Sequence, residues 1–209
     1  MTEITPYLVL NAYAVGYFPM AEAREDEDIF WVYPEERGVL PLKDFHISRS
    51  LKRALKQDPF KRTCNKAFSQ VIEACAQRTE RRRETWINDQ IIQLFTELHK
   101  MGYAHSIECW QDEELVGGIY GLALGGAFFA ESMFSRATNA SKIALVDLVA
   151  RLRKGEFSLL DVQFVNDHLR QFGAFEMPTE AYKKALANAV SQDITFPCES
   201  QIDLSEMAD

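Results

Sequence analysis

Two polar side chains interrupt an otherwise apolar segment, LLDVQFV (159–165). The segment has the length and composition of a buried β-strand, in which successive side chains point to opposite faces. Asp161 and Gln163 therefore share one face. The remaining residues divide in the same way, with Leu159 and Val165 beside them and Leu160, Val162 and Phe164 opposite. Buried polar groups need hydrogen-bond partners. The two are therefore either a structural contact to a loop or helix end, or an acid–amide couple that orients a reacting group.

A single carboxylate stands in a second apolar segment, AFFAESMF (127–134). Strand alternation predicts Glu131 on one face with Phe129 and Met133. The opposite face would then carry Phe128, Ala130, Ser132 and Phe134. A carboxylate in this setting would receive a cationic group of a substrate, or it would form a structural salt bridge with a basic helix. Trp86 precedes a predicted helix, where a lone tryptophan is more often a core residue than a site residue.

Several other kinds of site have no matching pattern. The four histidines lack metal-ligand spacing, and the glycine pairs at 117–118 and 125–126 belong to no phosphate-binding loop. The four cysteines are far apart and contain no C-x-x-C pair, which argues against zinc and disulfides and favours a reducing cytoplasm. The N-terminus does not resemble a signal peptide. The longest apolar run, 120–130, is too short to span a bilayer.

Charge is distributed unevenly along the 209 residues. Residues 46–83 contain 11 lysines and arginines and three acids, a local charge of +8 that leaves −16 for the rest of a chain whose total is −8. A basic surface on an acidic protein is an electrostatic footprint for phosphate groups. A pair of helices with ordinary solvated lysines would account for the same residues.

Periodicity divides the chain into the elements that must position these side chains. Helical patterns cover 7–14, 47–55, 65–77, 89–101, 139–154, 166–172 and 179–192, and strand patterns lie between Pro34 and Pro41 and at 106–110, 115–124, 127–134 and 159–165. Tight hairpin turns separate the three middle strands. The order is typical of an α+β fold. We expect a small N-terminal domain over residues 1–37 and a larger domain over residues 38–209.

Eight segments, in a fixed order, link the chain to a known family. They are GYFPM (16–20), FWVYPEERGVLPL (30–42), FHISRSLKR (45–53), TWIN (85–88), LHKMGYAHSIECW (98–110), LVGGIYGLALGGAFFAESMFS (115–135), NASKIAL (139–145) and LLDVQFVNDHLRQFGA (159–174). Together they resemble the leucyl/phenylalanyl-tRNA–protein transferases. The resemblance implies an enzyme that moves leucine or phenylalanine, and methionine less well, from aminoacyl-tRNA to an N-terminal lysine or arginine, which creates a degradation signal. It also implies an N-acetyltransferase-like larger domain, with a mixed, largely antiparallel sheet flanked by helices.

The resemblance assigns roles residue by residue. Asp161 and Gln163 match the family's proposed catalytic pair. The substrate contacts would be Glu131, Met133, Trp86, Phe128, Ile119 and Phe95. The tRNA contacts would be Arg49, Lys52, Arg53, Lys56, Arg62, Arg81, Arg82 and Arg83. Ile119 replaces a frequent methionine and Phe95 a tyrosine, and the N-terminal domain is expected to be shorter than in relatives.

An aminoacyl ester is already activated, so we expect no cofactor, metal or covalent intermediate. We also expect no membrane partner, and we expect a monomer. An unperturbed aspartate, with a pKa of about 3.9, is a poor base. Asp161 would therefore orient the attacking amine through Gln163 unless burial raises its pKa. One alternative is a CoA-dependent N-acetyltransferase of the same fold, although the loop at 135–138 lacks the glycines of a pyrophosphate site. The other is a non-catalytic module that binds tRNA or basic N-termini.

Overall fold

The computed structural model describes residues 4–79, 83–198 and 202–208. The strands are β1 (Phe18–Met20), β2 (Phe30–Val32), β3 (Glu36–Leu40), β4 (Lys61–Cys64), β5 (Ala104–Gln111), β6 (Glu114–Leu124), β7 (Ala127–Ser135), β8 (Leu159–Gln163) and β9 (Phe175–Pro178). The helices are α1 (Pro6–Ala14), α2 (Arg49–Gln57), α3 (Phe68–Ala76), α4 (Asp89–Lys100), α5 (Ala140–Lys154), α6 (Asp167–Arg170) and α7 (Thr179–Val190), followed by a 3₁₀ turn at Glu206–Ala208.

Seven strands form one sheet in the order β4-β5-β6-β7-β8-β3-β9. Neighbours are antiparallel except β7 and β8, which are parallel and are joined by α5. A parallel pair needs such a crossover, since a tight turn cannot join two parallel strands. The α+β prediction is confirmed.

Helices cover both faces of the sheet because its residues point alternately to two apolar clusters. One cluster contains the apolar sides of α2 and α5 together with the C-terminal segment. The other contains α1, α3, α4 and α7. No helix in the described part of the chain combines the length and apolar character needed to cross a membrane.

The N-terminal part is a helix followed by a two-stranded sheet, β1–β2. Thr5 caps α1, since its Oγ1 accepts a hydrogen bond from the Leu8 amide at 3.3 Å. The next strand, β3, lies between β8 and β9 in the main sheet and crosses the expected boundary at residue 37. The division into domains at that residue stays a prediction.

The predicted faces of β7 are wrong beyond Ala130. In the β6–β7 ladder Ala130 and Ser132 face consecutive residues of β6, which leaves Glu131 as an extra, bulged residue. The alternation reverses there, so Met133 packs on the opposite side of the sheet from Phe129. A bulge is set by pairing with a neighbour, and strand periodicity does not reveal it.

Strand β8 ends two residues earlier than expected. Its last residue, Gln163, has φ +62°, which lies in the left-handed region. Phe164 therefore leaves the predicted face and packs edge-on against Phe18, with the ring centroids 5.8 Å apart. Val165 turns toward the cluster on the other side of the sheet. The faces predicted for residues 159–162 are confirmed.

The expectation of no disulfide is wrong. Cys64 and Cys198 are bonded, with an S–S distance of 2.07 Å and a sequence separation of 134. Cys75 and Cys109 are buried and do not take part in this disulfide. Spacing along the chain carries no information about a contact that the fold makes between β4 and the C-terminal segment.

Candidate active site

The side chains of Glu131 and Gln163 meet just beyond the point where the parallel pairing of β7 and β8 ends. Gln163 Nε2 donates a hydrogen bond to Glu131 Oε2 at 2.8 Å. The Tyr13 hydroxyl, from α1, donates to Glu131 Oε1 at 2.7 Å. Each oxygen of this carboxylate thus has a donor, and Glu131 is only 8% exposed. The bulge in β7 and the left-handed backbone of Gln163 are the local features that aim both side chains at each other.

Asp161 lies behind this pair and is fully buried. Arg37 Nε donates to both of its carboxylate oxygens, at 3.0 and 2.9 Å. Tyr182 donates to Oδ2, and the Gln163 backbone amide donates to Oδ1 at 2.7 Å. Asp161 therefore holds the backbone of Gln163 in place and has no oxygen left to offer a substrate.

Arg37 is itself buried, although charged residues are rarely buried without partners. Besides its ion pair with Asp161, it donates from Nη1 to the Gly16 carbonyl at 2.9 Å, and its guanidinium lies 4.5 Å from the centroid of the Phe18 ring. Glycine is required at the neighbouring position 38 for a steric reason, since a Cβ there would lie 2.8 Å from the carbonyl carbon of Phe164. Strand β3 can approach the end of β8 only because residue 38 has no side chain.

Burial raises the pKa of Glu131 to about 7. The hydrogen bonds from Tyr13 and Gln163 oppose the rise, because they stabilise the ionised form, and the nearby charge of Asp161 adds to it. The pKa of Tyr13 is also raised, first by burial and then by the charge of Glu131. Glu131 is therefore poised to exchange a proton near neutral pH.

A cavity of about 290 Å³ opens beside the Glu131–Gln163 pair. Its walls are mainly apolar and include a few polar side chains, as in ligand-binding pockets generally. The lining residues are Ile119, Ala130, Glu131, Ser132, Met133, Leu145, Val162, Gln163, Phe164, Asn166, His168 and Leu169. Of the residues singled out from sequence, this cavity brings together Ile119, Glu131, Met133 and Gln163. We call it the β7–β8 cavity.

The three aromatic residues assigned to substrate by resemblance do not line this cavity. Phe95 is fully buried, edge-on to Tyr13 with the ring centroids 6.4 Å apart. Phe128 lies on the opposite side of the sheet from Phe95, buried against Phe196 with the ring centroids 5.3 Å apart. Trp86 is half-buried at the edge of the apolar cluster that contains α1, α3, α4 and α7, and its carbonyl accepts from the Ala21 amide at 3.2 Å. Phe95 contacts Tyr13, which bonds to Glu131, but does not itself line the cavity.

Helix α2 presents a basic surface to solvent. Ser48 caps it, and Leu51 and Leu55 anchor it to the core. Arg49, Arg53 and Lys56 are exposed and Lys52 is half-buried. Arg83 is exposed as well, while Arg81 and Arg82 lie outside the described residues.

Arg62 has to be removed from the predicted tRNA contacts. Its side chain is 6% exposed, and Nε donates to buried Asp147 at 3.1 Å. Its other nitrogens bond to Asp58 and to the Ile202 carbonyl. A guanidinium enclosed in this way supports the packing of β4 on α5 and does not reach a phosphate. Sequence cannot separate such a cation from its solvated neighbours, because both occur in the same charge run.

Sequence reasoning also missed three residues of the site: Tyr13, Arg37 and Tyr182. The chain contains many tyrosines and arginines, and none of these three lies in a short motif with the carboxylate that it contacts. The only local signal was the unusual presence of an arginine in the β-like segment ERGVL.

Comparisons with known proteins show which family the chain is similar to. Residues 39–187 match a family described as leucyl/phenylalanyl-tRNA protein transferase, and residues 2–35 match the N-terminal domain of the same family. A leucyl/phenylalanyl-tRNA–protein transferase of Paramagnetospirillum magneticum is 56% identical over 196 residues, which are 94% of each chain. The proteins of the same name from Zymomonas mobilis and Rhodospirillum rubrum are 54% and 53% identical. Those alignments cover 92% and 91% of this chain and 72% and 89% of the relatives.

Proposed function

The chain belongs to the leucyl/phenylalanyl-tRNA–protein transferase family, and we propose that the β7–β8 cavity is where it transfers the amino acid. The enzyme takes leucine or phenylalanine, and methionine less well, from aminoacyl-tRNA. It joins that amino acid to a protein whose N-terminal residue is lysine or arginine. The new N-terminus then marks the protein for degradation.

The observation that carries this proposal is the Glu131–Gln163 pair at the edge of an apolar cavity. An aminoacyl ester brings an apolar side chain, which needs an apolar wall, and a carbonyl, which must be held still. The acceptor brings an amine that must become neutral before it attacks. Ile119 and Met133 supply the apolar wall, and the amide and the carboxylate supply the polar groups.

We assign to Glu131 the role of accepting the proton that the attacking amine releases. It is the only carboxylate among the described residues that line the cavity. The free α-amino group has a pKa of about 7.7–8.0, and a carboxylate whose pKa is about 7 is matched to it. The amine nitrogen attacks the ester carbonyl, its proton passes to Glu131, and the carbon–oxygen bond to the ribose breaks. The proton then leaves with the ribose hydroxyl.

Gln163 orients the reacting groups, and Asp161 is a positioning residue. Because Asp161 is saturated by Arg37, Tyr182 and the Gln163 amide, it cannot take the proton directly. It acts by fixing the left-handed turn at Gln163. Proximity and orientation of this kind supply up to about 7–11 kcal/mol in good cases.

The tRNA acceptor stem would lie along the exposed cations of α2, Arg49, Arg53 and Lys56. Phosphate groups respond to the local potential of such a helix despite the acidic total charge. We place the activity in the cytoplasm, where charged tRNA is used. A monomer suffices, since the residues assigned here lie on one chain.

The test is a transfer assay with the purified protein and leucyl-tRNA. Leucine should be joined to a peptide that begins with arginine and not to a matched peptide that begins with alanine. Ribonuclease treatment of the tRNA beforehand should abolish transfer. If the arginine peptide stays unmodified, or if acetyl-CoA replaces leucyl-tRNA as donor, the proposal is wrong.

A further inference from the structure

The C-terminal segment packs beside the basic helix α2. Residues after 187 lie beyond the part of the chain that matches the catalytic family. Ile202, Leu204 and Met207 are nevertheless buried in the same cluster as Leu51 and Leu55 of α2. We call residues 202–208 the C-terminal cover.

Two bonds from arginine side chains hold the cover in addition to its apolar contacts. Arg62 Nη2 donates to the Ile202 carbonyl at 3.3 Å, and Arg153 Nη1 approaches the Met207 sulfur at 3.1 Å. The disulfide of Cys198 to Cys64 anchors the chain just before the cover. Cys64 is the last residue of β4, the strand that follows α2. The cover and the basic helix are thus tied to the same strand.

Two of the three exposed residues of the cover, Asp203 and Glu206, are acidic, and both line crevices beside α2. Asp203 shares a crevice of about 320 Å³ with Lys56 and Arg62. Glu206 shares another, of about 290 Å³, with Lys52 and Arg153. The pKa of Asp203 lies below its usual value because the Ser205 amide donates to it, with a smaller effect of nearby Arg62. The two acids of the cover thus share crevices with Lys52 and Lys56 of α2.

We infer that the C-terminal cover is an acidic surface that competes with tRNA phosphates for the cations of α2, and that the Cys64–Cys198 disulfide keeps it in place. This inference rests on the proposed tRNA-binding role of α2. The acids lower the positive potential at the edge of the helix, which weakens attraction of the phosphate backbone. Reduction by a dithiol gives two cysteine thiols and the oxidised reductant, and it frees residue 198 from β4.

The first test neutralises the acids without removing the packing. The double variant Asp203→Asn, Glu206→Gln keeps the buried Ile202, Leu204 and Met207. It should bind leucyl-tRNA about threefold or more tightly at low salt, in line with the worth of exposed charge pairs. The gain should shrink at high salt. Asp193→Asn is the control, since this exposed acid lies in the same terminal region but lines neither crevice.

The second test breaks the tether. Wild-type protein treated with dithiothreitol should bind leucyl-tRNA more tightly than oxidised protein, and Cys198→Ser should bind equally tightly with or without reductant. If the variant Asp203→Asn, Glu206→Gln binds leucyl-tRNA no more tightly than Asp193→Asn does, the acids of the cover do not compete with tRNA. Affinity unchanged by reduction would overturn the role of the disulfide.

A third variant separates this inference from the proposed function. Arg49→Gln, Arg53→Gln removes two exposed cations of α2. If it binds tRNA as the wild type does, α2 is not the tRNA surface, and the proposed binding mode fails together with the inference. If it binds more weakly while neutralising the cover changes nothing, only the inference fails.

Discussion

The Tyr13 hydroxyl donates a 2.7 Å hydrogen bond to the Glu131 carboxylate across 118 residues of sequence. Tyr13 lies in the region that matches the family's N-terminal domain, and Glu131 in the region, residues 39–187, that matches the transferase family itself. The N-terminal helix therefore contributes directly to the environment of Glu131, the only carboxylate among the described residues that line the β7–β8 cavity. It does more than pack beside the catalytic part.

Activity should depend on the ionisation of Glu131. Its pKa of about 7 means that the transfer rate should fall as pH drops below neutrality. Tyr13→Phe removes a hydrogen bond that stabilises the ionised form, so the acidic limb of the profile of kcat/KM against pH should move to higher pH. Glu131→Gln should lose the limb and most of the rate. A profile for Tyr13→Phe that only scales down, with no shift along the pH axis, would restrict Tyr13 to a structural role.

Stability should show the opposite pH trend. Because the pKa of Glu131 in the folded protein is raised from 4.5 to about 7, its contribution favours folding at low pH and is lost as pH rises through that window. Each unit of difference corresponds to about 1.4 kcal/mol. In urea unfolding, the free energy of unfolding should therefore decrease less between pH 5 and pH 8 for Glu131→Gln than for the wild type. An equal loss in both proteins would contradict the assignment of a raised pKa.

The Arg37–Asp161 ion pair is buried, so removing one partner leaves a charge without its counterion. Asp161→Asn and Arg37→Gln should each destabilise the fold by about 3–5 kcal/mol in chemical unfolding. The double variant should cost less than the sum of the two. Asp161→Asn should also reduce kcat more than it weakens tRNA binding, because the backbone of Gln163 loses its anchor. If Asp161→Asn reduces kcat and tRNA affinity by the same factor, Asp161 is not a positioning residue.

The apolar wall of the cavity should set the preference between donor amino acids. Ile119→Phe fills part of the space and should disfavour phenylalanine relative to leucine, while Met133→Ala should have the reverse effect. A change of one or a few methylene groups in such a pocket is worth about tenfold or more in the ratio of kcat/KM. The measurement compares Leu-tRNA with Phe-tRNA, and Met101→Ala, on the surface at the end of α4, is the control. An unchanged ratio in both pocket variants would place the donor side chain elsewhere.

Salt dependence should separate the surface cations from the buried one. Removing a cation that binds one tRNA phosphate should reduce the slope of log affinity against log salt by about 0.7–0.9. Arg53→Gln should show this reduction with unchanged stability. Arg62→Gln should instead lower the free energy of unfolding, because buried Asp147 loses a partner. The prediction fails if Arg62→Gln changes the salt slope and leaves stability intact.

Much of the fold was predictable because secondary structure follows local periodicity. The helices at α1, α2, α4, α5 and α7 and the strands β5 to β8 lie where the patterns indicated. The three-residue strands β1 and β2 and the four-residue strands β4 and β9 were missed. Strands β4 and β9 lie at the edges of the main sheet and carry exposed polar side chains, and edge strands of this kind lack the apolar signal of buried ones.

The candidate site was predicted in part. Asp161, Gln163 and Glu131 stood out because polar residues in apolar strands require partners, and those partners exist. The sequence did not reveal how the three side chains are arranged relative to one another. The bulge at Glu131 and the left-handed turn at Gln163 bring these two together and leave Asp161 behind them, and both depend on pairing between strands.

The sequence by itself determined which residues are apolar, charged or bulky, and therefore the elements, the two faces of most strands and the family. Only the tertiary structure decided which distant residues meet: Tyr13 with Glu131, Arg37 with Asp161, and Cys64 with Cys198. The physical reason is that side-chain direction repeats over a few residues, whereas contacts between residues more than a hundred positions apart depend on how whole elements pack. Burial follows from that packing, and with it the pKa of Glu131 and the enclosure of Arg62.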